Sequence, residues 1–334
     1  NTYNMLKLTQ LLFAAEPGAS YADYYERALY NHILASQDPL SGGLVYFTPM
    51  RPQHYRVYST VHDAMWCCVG SGIENHVKYG EFIYALDGPD LLVNLFIPSQ
   101  LDWPAKGLKL RQVNRFPDHP ETQLVFDAEV KTGLKLRFPE WAAGSPDVRI
   151  NGEKQNADVG ADGYIRLARD WKAGDTVTLQ LPMETRLEQM PGAEDWYAIL
   201  HGPVVLAAAT SPFENEVLDF YADGSRMGHI PPGQMCPLER TPVFVSDSPD
   251  FAGHIERVGN DDLRFRFSGR SGMPELKDLE LIPFYRLHHS RYVLYWPYST
   301  PQQFAASKES AAAEEAARMA LERKTLDKVA PGEQ

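Results

Sequence analysis

The chain has 334 residues, a formal net charge of −12 and the ordinary hydrophobic share of a soluble globular protein. This length predicts two or three domains and a large core. The acidic balance argues against a nucleic-acid partner, because proteins that bind a phosphate backbone present a basic surface. It is compatible with a neutral ligand such as a sugar. Three cysteines exclude a disulfide framework. The sequence contains no run of about twenty apolar residues, so it predicts no membrane-spanning helix.

The first 88 residues are predicted to be helical. An apolar stripe predicts a first helix that ends at residues 16–18, and similar spacing predicts a second helix from Tyr21 to about Ala35. A short strand-like run covers residues 44–47, and a third helix is predicted over residues 72–85. Antiparallel helix pairs with polar loops between them indicate part of an α/α barrel or bundle, which about three long helices cannot close.

From residue 91 onward the apolar period changes to two, which is typical of β-strands. The alternating runs cover residues 91–97, 108–113, 123–130, 134–138, 148–150, 164–167, 176–181, 197–207, 279–285 and 292–296. Turn signals such as Asn151-Gly152 separate them, so the spacing predicts antiparallel β-sandwich domains. We therefore expect an α+β multidomain chain. Its parts are a partial barrel (1–88), a β-sandwich (89–210), a second β-rich domain (211–303), and a C-terminal helix and tail (304–334).

The most informative stretch runs from Trp66 to His76 and contains the adjacent Cys67 and Cys68. Ser71 and Glu74 form a capping-box pattern, which predicts a helix that starts just after the cysteines. The thiols are therefore expected at the positive end of a helix, which favours the thiolate. From these residues alone three alternatives stay open: two small buried side chains, a metal-binding or nucleophilic pair, and a redox-active vicinal disulfide.

Residues 66–84 (WCCVGSGIENHVKYGEFIY) resemble the cysteine-centred motif of the β-L-arabinofuranosidases of glycoside hydrolase families 127 and 146. The similarity extends over nearly the whole chain. Further matching segments are NTYNMLKLTQLLF (1–13), FPEW (138–141), ING (150–152), GYIRLARDWKAGDTVTLQLPM (163–183) and LIPFYRLHHSRYVLYW (281–296). The resemblance implies an (α/α)6 barrel followed by β-sandwich domains. It also implies a retaining exo-hydrolase of arabinose-containing oligo- or polysaccharides, and the longer C-terminus favours family 146 over family 127.

The resemblance implies roles for four residues and implies zinc as the cofactor. Cys67 matches the zinc-bound cysteine nucleophile, and Cys68 matches a second zinc ligand. Glu26 and Tyr46 match an acidic residue and a tyrosine that contact the sugar. For these two, a solvated helix carboxylate and a core aromatic remain open alternatives. Bound zinc would keep a thiol ionised, so that the sulfur attacks the anomeric carbon and water hydrolyses the thioglycosyl intermediate.

Other polar residues near the pair have simpler interpretations. His54 and His62 are predicted to be surface histidines, Glu74 a helix cap, and His76 a residue that supports packing. The tryptophans of the sandwich, Trp141 among them, are expected to pack in its core rather than to bind sugar.

In the family that the chain resembles, the other zinc ligands and the general acid/base glutamate precede the segment that matches Asn1. We therefore expect this polypeptide to be N-terminally truncated and, by itself, to bind zinc weakly and to have little activity. The alternative function is a non-catalytic carbohydrate-binding β-sandwich protein with a barrel remnant. A periplasmic or secreted location is expected from the resemblance alone.

Overall fold

The structure is a computed structural model. It describes residues 1–213, 215–224, 230–231, 235–236, 238, 241–267 and 279–310, and the single residues 313, 316, 317 and 320. Across these ranges, none of the helices combines the length and the apolar character that crossing a membrane requires.

Three α-helices lie in the first 88 residues: α1 (Thr2–Ala15), α2 (Ala19–Ala28) and α3 (Cys67–His76). Helix α2 continues through a π-helical turn, Leu29–Ile33, and a 3-10 turn, Leu34–Ser36. The first two predicted helices are therefore confirmed, since the second extends from residue 19 to residue 36.

The third helix differs from its prediction at both ends. It begins at Cys67, five residues earlier than expected, and it ends at His76 rather than residue 85. A 3-10 turn, Tyr79–Phe82, follows, and residues 84–87 form a strand. Residues 84–87 pair with residues 90–93, so the end of the predicted helix is instead the first strand of a sheet.

The predicted capping box is wrong. The residue at the N-cap is Trp66, whose extended backbone (φ −63°, ψ 148°) leads into the helix. The Ser71 hydroxyl lies 3.4 Å from the carbonyl oxygen of Cys67 one turn back, so it bonds within the helix. The Glu74 carboxylate accepts a hydrogen bond of 2.5 Å from Tyr3 of α1. The residue that precedes α3 is thus a buried tryptophan that makes no side-chain cap hydrogen bond.

Two sheets form the expected β-sandwich, and a short strand, β1 (Tyr58–Ser59), precedes them. Their strands are β2 (Tyr84–Asp87), β3 (Asp90–Val93), β4 (Ser99–Trp103), β5 (Leu108–Asn114), β6 (Glu121–Phe126), β7 (Val130–Arg137), β8 (Asp147–Ile150), β9 (Glu153–Lys154), β10 (Tyr164–Trp171) and β11 (Thr176–Gln180). One sheet has the order β10-β7-β3-β2 and the other β4-β5-β6-β11-β8-β9. Pairing is antiparallel except between β3 and β7, which run parallel. A 3-10 turn, Pro104–Lys106, joins β4 to β5.

A third, nine-stranded sheet follows the sandwich. Its strands are β12 (Thr185–Gln189), β13 (Trp196–His201), β14 (Val204–Thr210), β16 (Phe244–Val245), β17 (Ile255–Arg257), β18 (Phe265–Phe267), β19 (Glu280–Pro283), β20 (Arg291–Val293) and β21 (Tyr295–Ser299). The short β15 (Tyr221–Ala222) instead pairs with β1. Strands β12 to β14 pair with one another and with β19 to β21. The third sheet therefore starts at residue 185 rather than 211, and residues 197–207 form a hairpin rather than one strand.

Short helical turns complete this part. They are the 3-10 turns Ala252–His254 and Phe284–Arg286, and residues 301–310 are helical, where a C-terminal helix was expected. The rest of that predicted helix, to residue 324, lies mostly outside the described residues.

The four-stranded sheet of the sandwich is covered on both faces. Leu91 and Val93 of β3 point into the core shared with the six-stranded sheet, whereas Leu92 between them packs with the helices. Successive residues of a strand face opposite sides, so one strand serves two cores. The helices thus form a layer on the outer face of the sandwich. The α+β class is confirmed, but the described residues do not form the expected (α/α)6 barrel.

Acid is expected to weaken the third sheet through His201, which is 8% exposed and lies against Phe265. Burial, with smaller contributions from nearby arginines, lowers the pKa of His201 to about 4. In the unfolded chain the pKa is about 6.5, so unfolding takes up a proton between these values and stability falls as the pH falls. Urea unfolding from pH 7 to pH 4 should show a loss of up to about 3 kcal/mol from this residue. His201→Asn should flatten the dependence, whereas the same change at the exposed His62 should leave it unchanged.

Candidate functional site

Cys67 and Cys68 are the first two residues of α3, so both thiols lie in its first turn. Cys67 is exposed and Cys68 is half-buried. Their sulfur atoms are 3.8 Å apart, well beyond the length of a disulfide bond. The expected position at the positive end of a helix is therefore correct, although the cysteines lie inside the helix rather than before it.

The sulfur spacing fits two ligands of one zinc ion. Zinc–sulfur bonds of about 2.3 Å in a tetrahedron place neighbouring sulfur atoms about 3.8 Å apart, which is the separation of the Cys67 and Cys68 sulfurs. Within the described ranges no three His, Cys, Asp or Glu side chains are grouped to hold a metal. The pair thus provides two sulfur ligands at a suitable separation, which is half the number that a closed zinc site requires.

The two thiols do not share one environment. Burial, followed by the hydrogen bond and charge of Cys67, raises the pKa of the Cys68 thiol. The expectation that the helix end favours thiolate at both positions is therefore wrong for Cys68. Ionising Cys68 would place a second negative sulfur beside the first at a half-buried position. The free-energy cost of this ionisation exceeds the stabilisation that one helix N-terminus provides.

Tyr46 lies at this site. The nearby Cys67 raises the pKa of Tyr46, first through hydrogen bonding to the phenol and then through the charge of the sulfur. Its ring meets the rings of Phe47 and Trp66 edge to face, with centroids 4.6 and 6.3 Å apart. The structure therefore brings together Tyr46 and Cys67, which the sequence could pair only through the family resemblance.

The segment around Tyr46 packs directly on α3. A Cβ atom on Gly72 would lie 2.6 Å from a methyl carbon of Leu44, so any larger residue would force the Leu44 side chain to move. Leu44 also accepts a backbone hydrogen bond of 2.8 Å from Ser59 of β1. The strand-like segment is thus held between α3 and β1, and this position directs Tyr46 toward the start of the helix.

Glu26 occupies a different environment. It is 1% exposed, and its carboxylate accepts hydrogen bonds of 2.5 Å from Arg137 and 2.7 Å from the indole nitrogen of Trp141. Burial raises the pKa of Glu26, and the Arg137 and Trp141 contacts oppose this rise. The alternative of a solvated helix carboxylate is therefore wrong. Both oxygens of Glu26 bond to the sandwich, so the residue joins α2 to that domain.

The sequence did not reveal the partners of Glu26. Arg137 is fully buried and pairs with Asp23 as well, at 2.5 Å. It alternates with Leu136 along β7, which places its side chain on the face that the helices cover. An arginine at a position of β7 that faces the helices, directly before the FPEW segment, is the sequence feature that could have identified Arg137 as the partner of Glu26. Trp141 is half-buried and packs against the core, as expected.

The remaining candidates lie around the site rather than in it. His62 is exposed, whereas His54 is half-buried beside β20, with its carbonyl oxygen accepting the amide of Tyr292 at 3.0 Å. Burial lowers the pKa of His54. Its prediction as a surface residue is therefore only partly correct. His76 bonds to the hydroxyl of Tyr79 and supports packing, as predicted.

Comparison with known proteins identifies the same region. Residues 1–81 match the β-L-arabinofuranosidase GH127 catalytic domain, residues 90–183 match the GH127 middle domain, and residues 186–298 match DUF4986, a domain of unknown function. No curated protein sequence matches the chain.

Solved structures share the fold. A GH127 β-L-arabinofuranosidase from Geobacillus stearothermophilus T6 aligns over 89% of this chain and 49% of its own, with a TM-score of 0.63 and 19% identity. A second GH127 β-arabinofuranosidase aligns over the same shares, with a TM-score of 0.63 and 20% identity. The chain thus spans about half the length of these structures. Its consecutive matches to two domains of one family show that the chain belongs to the GH127 β-L-arabinofuranosidase family.

Proposed function

We propose that the protein acts as a retaining exo-β-L-arabinofuranosidase with Cys67 as the nucleophile and zinc as the cofactor. The observation that carries this proposal is the group at the start of α3. There an exposed sulfur, a second sulfur 3.8 Å away and the hydroxyl of Tyr46 meet inside the segment that matches the GH127 catalytic domain. Family membership supports the glycosidase class, and the geometry supports the choice of residue.

The residues of the chain suggest the following division of roles. Zinc, when bound by Cys67 and Cys68, supplies the positive charge that keeps both sulfurs ionised. The Cys67 sulfur attacks the anomeric carbon, and the glycosidic oxygen leaves with a proton from an acid on the opposite face of the sugar. Water then hydrolyses the thioglycosyl bond and regenerates the Cys67 sulfur. The Tyr46 hydroxyl donates to that sulfur and holds it in place between turnovers.

We propose arabinose-containing oligo- or polysaccharides as substrates and a periplasmic or secreted location, as the family resemblance suggests. The negative charge of the chain suits an uncharged glycan better than an anionic one. We also propose that the helical layer of α1, α2 and α3 is part of an (α/α)6 barrel, as the family resemblance suggests.

Zinc content tests the metal assignment. The complete gene product should bind about one zinc ion per chain, and Cys68→Ser should weaken that binding at least about a hundredfold, because a hydroxyl is a poor zinc ligand at neutral pH. Competition with a chromophoric chelator measures the affinity. Cys236→Ala, which removes the third thiol at a buried position, is the matched control and should retain the metal. Unchanged affinity in Cys68→Ser would remove Cys68 from the site.

A further inference from the structure

Two adjacent histidines in the turn between β19 and β20 reach across to the helical part of the chain. The Nδ1 atom of His288 accepts a hydrogen bond of 2.7 Å from the hydroxyl of Tyr58, and its Nε2 atom donates to the carbonyl of Tyr285 at 2.8 Å. Nε2 of His289 lies 3.1 Å from the hydroxyl of Tyr221 and 3.3 Å from a carboxylate oxygen of Asp38. The pair thus joins the third sheet to two separate segments of the first 59 residues.

Asp38 is the centre of this contact. It has no exposed surface, and one of its oxygens accepts hydrogen bonds of 2.6 Å from both Ser41 and Tyr221. The other oxygen accepts the amide of Leu40 at 3.0 Å. The groups that face His289 are therefore Asp38 and Tyr221, with the rings of Tyr58, Phe220 and His288 around them. A buried carboxylate with these donors holds its turn in one conformation.

The turn that Asp38 closes leads directly to Tyr46. The amide of Asp38 donates to the carbonyl of Gly43 at 2.8 Å, and Val45 donates to Ser36 at the same distance. A Cβ atom on Gly43 would lie 2.3 Å from the carbonyl oxygen of Ser59, so the chain is in close contact with β1 here. Three residues later comes Tyr46, whose ring packs against that of Trp66, the residue directly before Cys67. Contacts therefore connect His289 to the segment that carries Tyr46, which packs beside the start of α3.

The backbone at His289 is consistent with a specific role. Its φ of +51° is a left-handed conformation that costs a residue with a Cβ atom about 1 kcal/mol or more. This conformation allows two consecutive side chains to point to different partners, Tyr58 for His288 and Asp38 for His289. The contacts of both rings offset the cost.

We propose that His289 is a positioning residue, which acts through Asp38 to hold residues 44–47 so that the Tyr46 hydroxyl stays on the Cys67 sulfur. This role rests on the proposed function of Cys67. It implies that a residue of the domain of unknown function sets the geometry of the catalytic segment.

Hydrolysis of an aryl β-L-arabinofuranoside by the complete gene product tests the role. His289→Ala should lower kcat about tenfold or more with little change in KM, because the misplaced group acts on the reacting atom rather than on substrate binding. His289→Gln, whose amide can replace Nε2–H, should recover most of the rate. In a Tyr46→Phe background His289→Ala should have little further effect, since the hydroxyl that it positions is already absent.

The rate of iodoacetamide alkylation at Cys67, followed by peptide mass spectrometry at one pH, gives a second measure that needs no substrate. His289→Ala and Tyr46→Phe should change this rate at least about threefold and in the same direction. Ser290→Ala is the matched control, because the Ser290 hydroxyl lies in the same turn and has no hydrogen-bond partner among the residues that the structure describes. Tyr221→Phe, a milder change at the same carboxylate, should give a smaller effect if His289→Ala does not fold.

The outcomes separate the two proposals. Two results would overturn the positioning role. One is that His289→Ala keeps the wild-type rates of alkylation and hydrolysis. The other is that His289→Ala lowers kcat equally in the wild-type and Tyr46→Phe backgrounds. Full hydrolysis by Cys67→Ser would overturn the proposed function, whereas the alkylation rates would still report whether His289 positions Tyr46.

Discussion

Replacing Cys67 by serine is expected to lower kcat/KM for an aryl β-L-arabinofuranoside at least about a thousandfold in the complete gene product, because a serine hydroxyl is far harder to ionise than a thiol. Cys67 is exposed at the start of α3, so we expect the variant to keep the wild-type fold. Initial rates at several substrate concentrations measure the loss, and circular dichroism checks the fold.

The matched control removes a thiol elsewhere. Cys236→Ala should keep activity within about threefold of the wild-type rate, because this buried cysteine lies outside the site. Retention of more than a tenth of the wild-type kcat/KM in Cys67→Ser would contradict the assignment of the nucleophile. Sugar binding that survives Cys67→Ala and is located in the β-sandwich, in a protein with no hydrolysis, would instead favour the carbohydrate-binding alternative.

Replacing Arg137 by methionine is expected to destabilise the chain by about 3 to 5 kcal/mol, because it leaves the buried Glu26 carboxylate without its counter-charge. Methionine keeps much of the side-chain volume, so the loss reports the charge rather than a cavity. Urea unfolding followed by tryptophan fluorescence measures the change. Arg111→Met is the matched control. Its pair with Asp127, at 2.7 Å, is on the surface, where solvent and salt screen the charges, so this variant should unfold at nearly the wild-type urea concentration.

Glu26→Gln separates the two roles considered for this residue. If Glu26 joins α2 to the sandwich, as its contacts indicate, the glutamine variant should lose stability while KM stays close to the wild-type value. A raised KM with unchanged stability would instead support the sugar contact that the family resemblance implies. The two readouts differ because an ion pair within the folded chain stabilises free and substrate-bound protein equally.

Much of the fold could be predicted because it depends on periodicity. The change from helical spacing to alternation near residue 91 separates the helical layer from the sheets, and turn signals such as Asn151-Gly152 mark strand ends. The sequence pattern did not show which strands belong to which sheet. Strands β12 to β14 have the same alternation as the sandwich strands, and only hydrogen bonding to β19 to β21 assigns them to the third sheet.

For the site, the sequence by itself determined the chemical identity of the candidate nucleophile, because two adjacent thiols in a family-like motif are a local feature. The tertiary structure alone decided which side chains meet them. Gly72 allows Leu44 to pack on α3, and this packing places Tyr46 near Cys67. Glu26 instead pairs with the buried Arg137 of the sandwich. Contacts between residues that are 21 to 111 positions apart depend on packing and burial, which no local pattern of residues encodes.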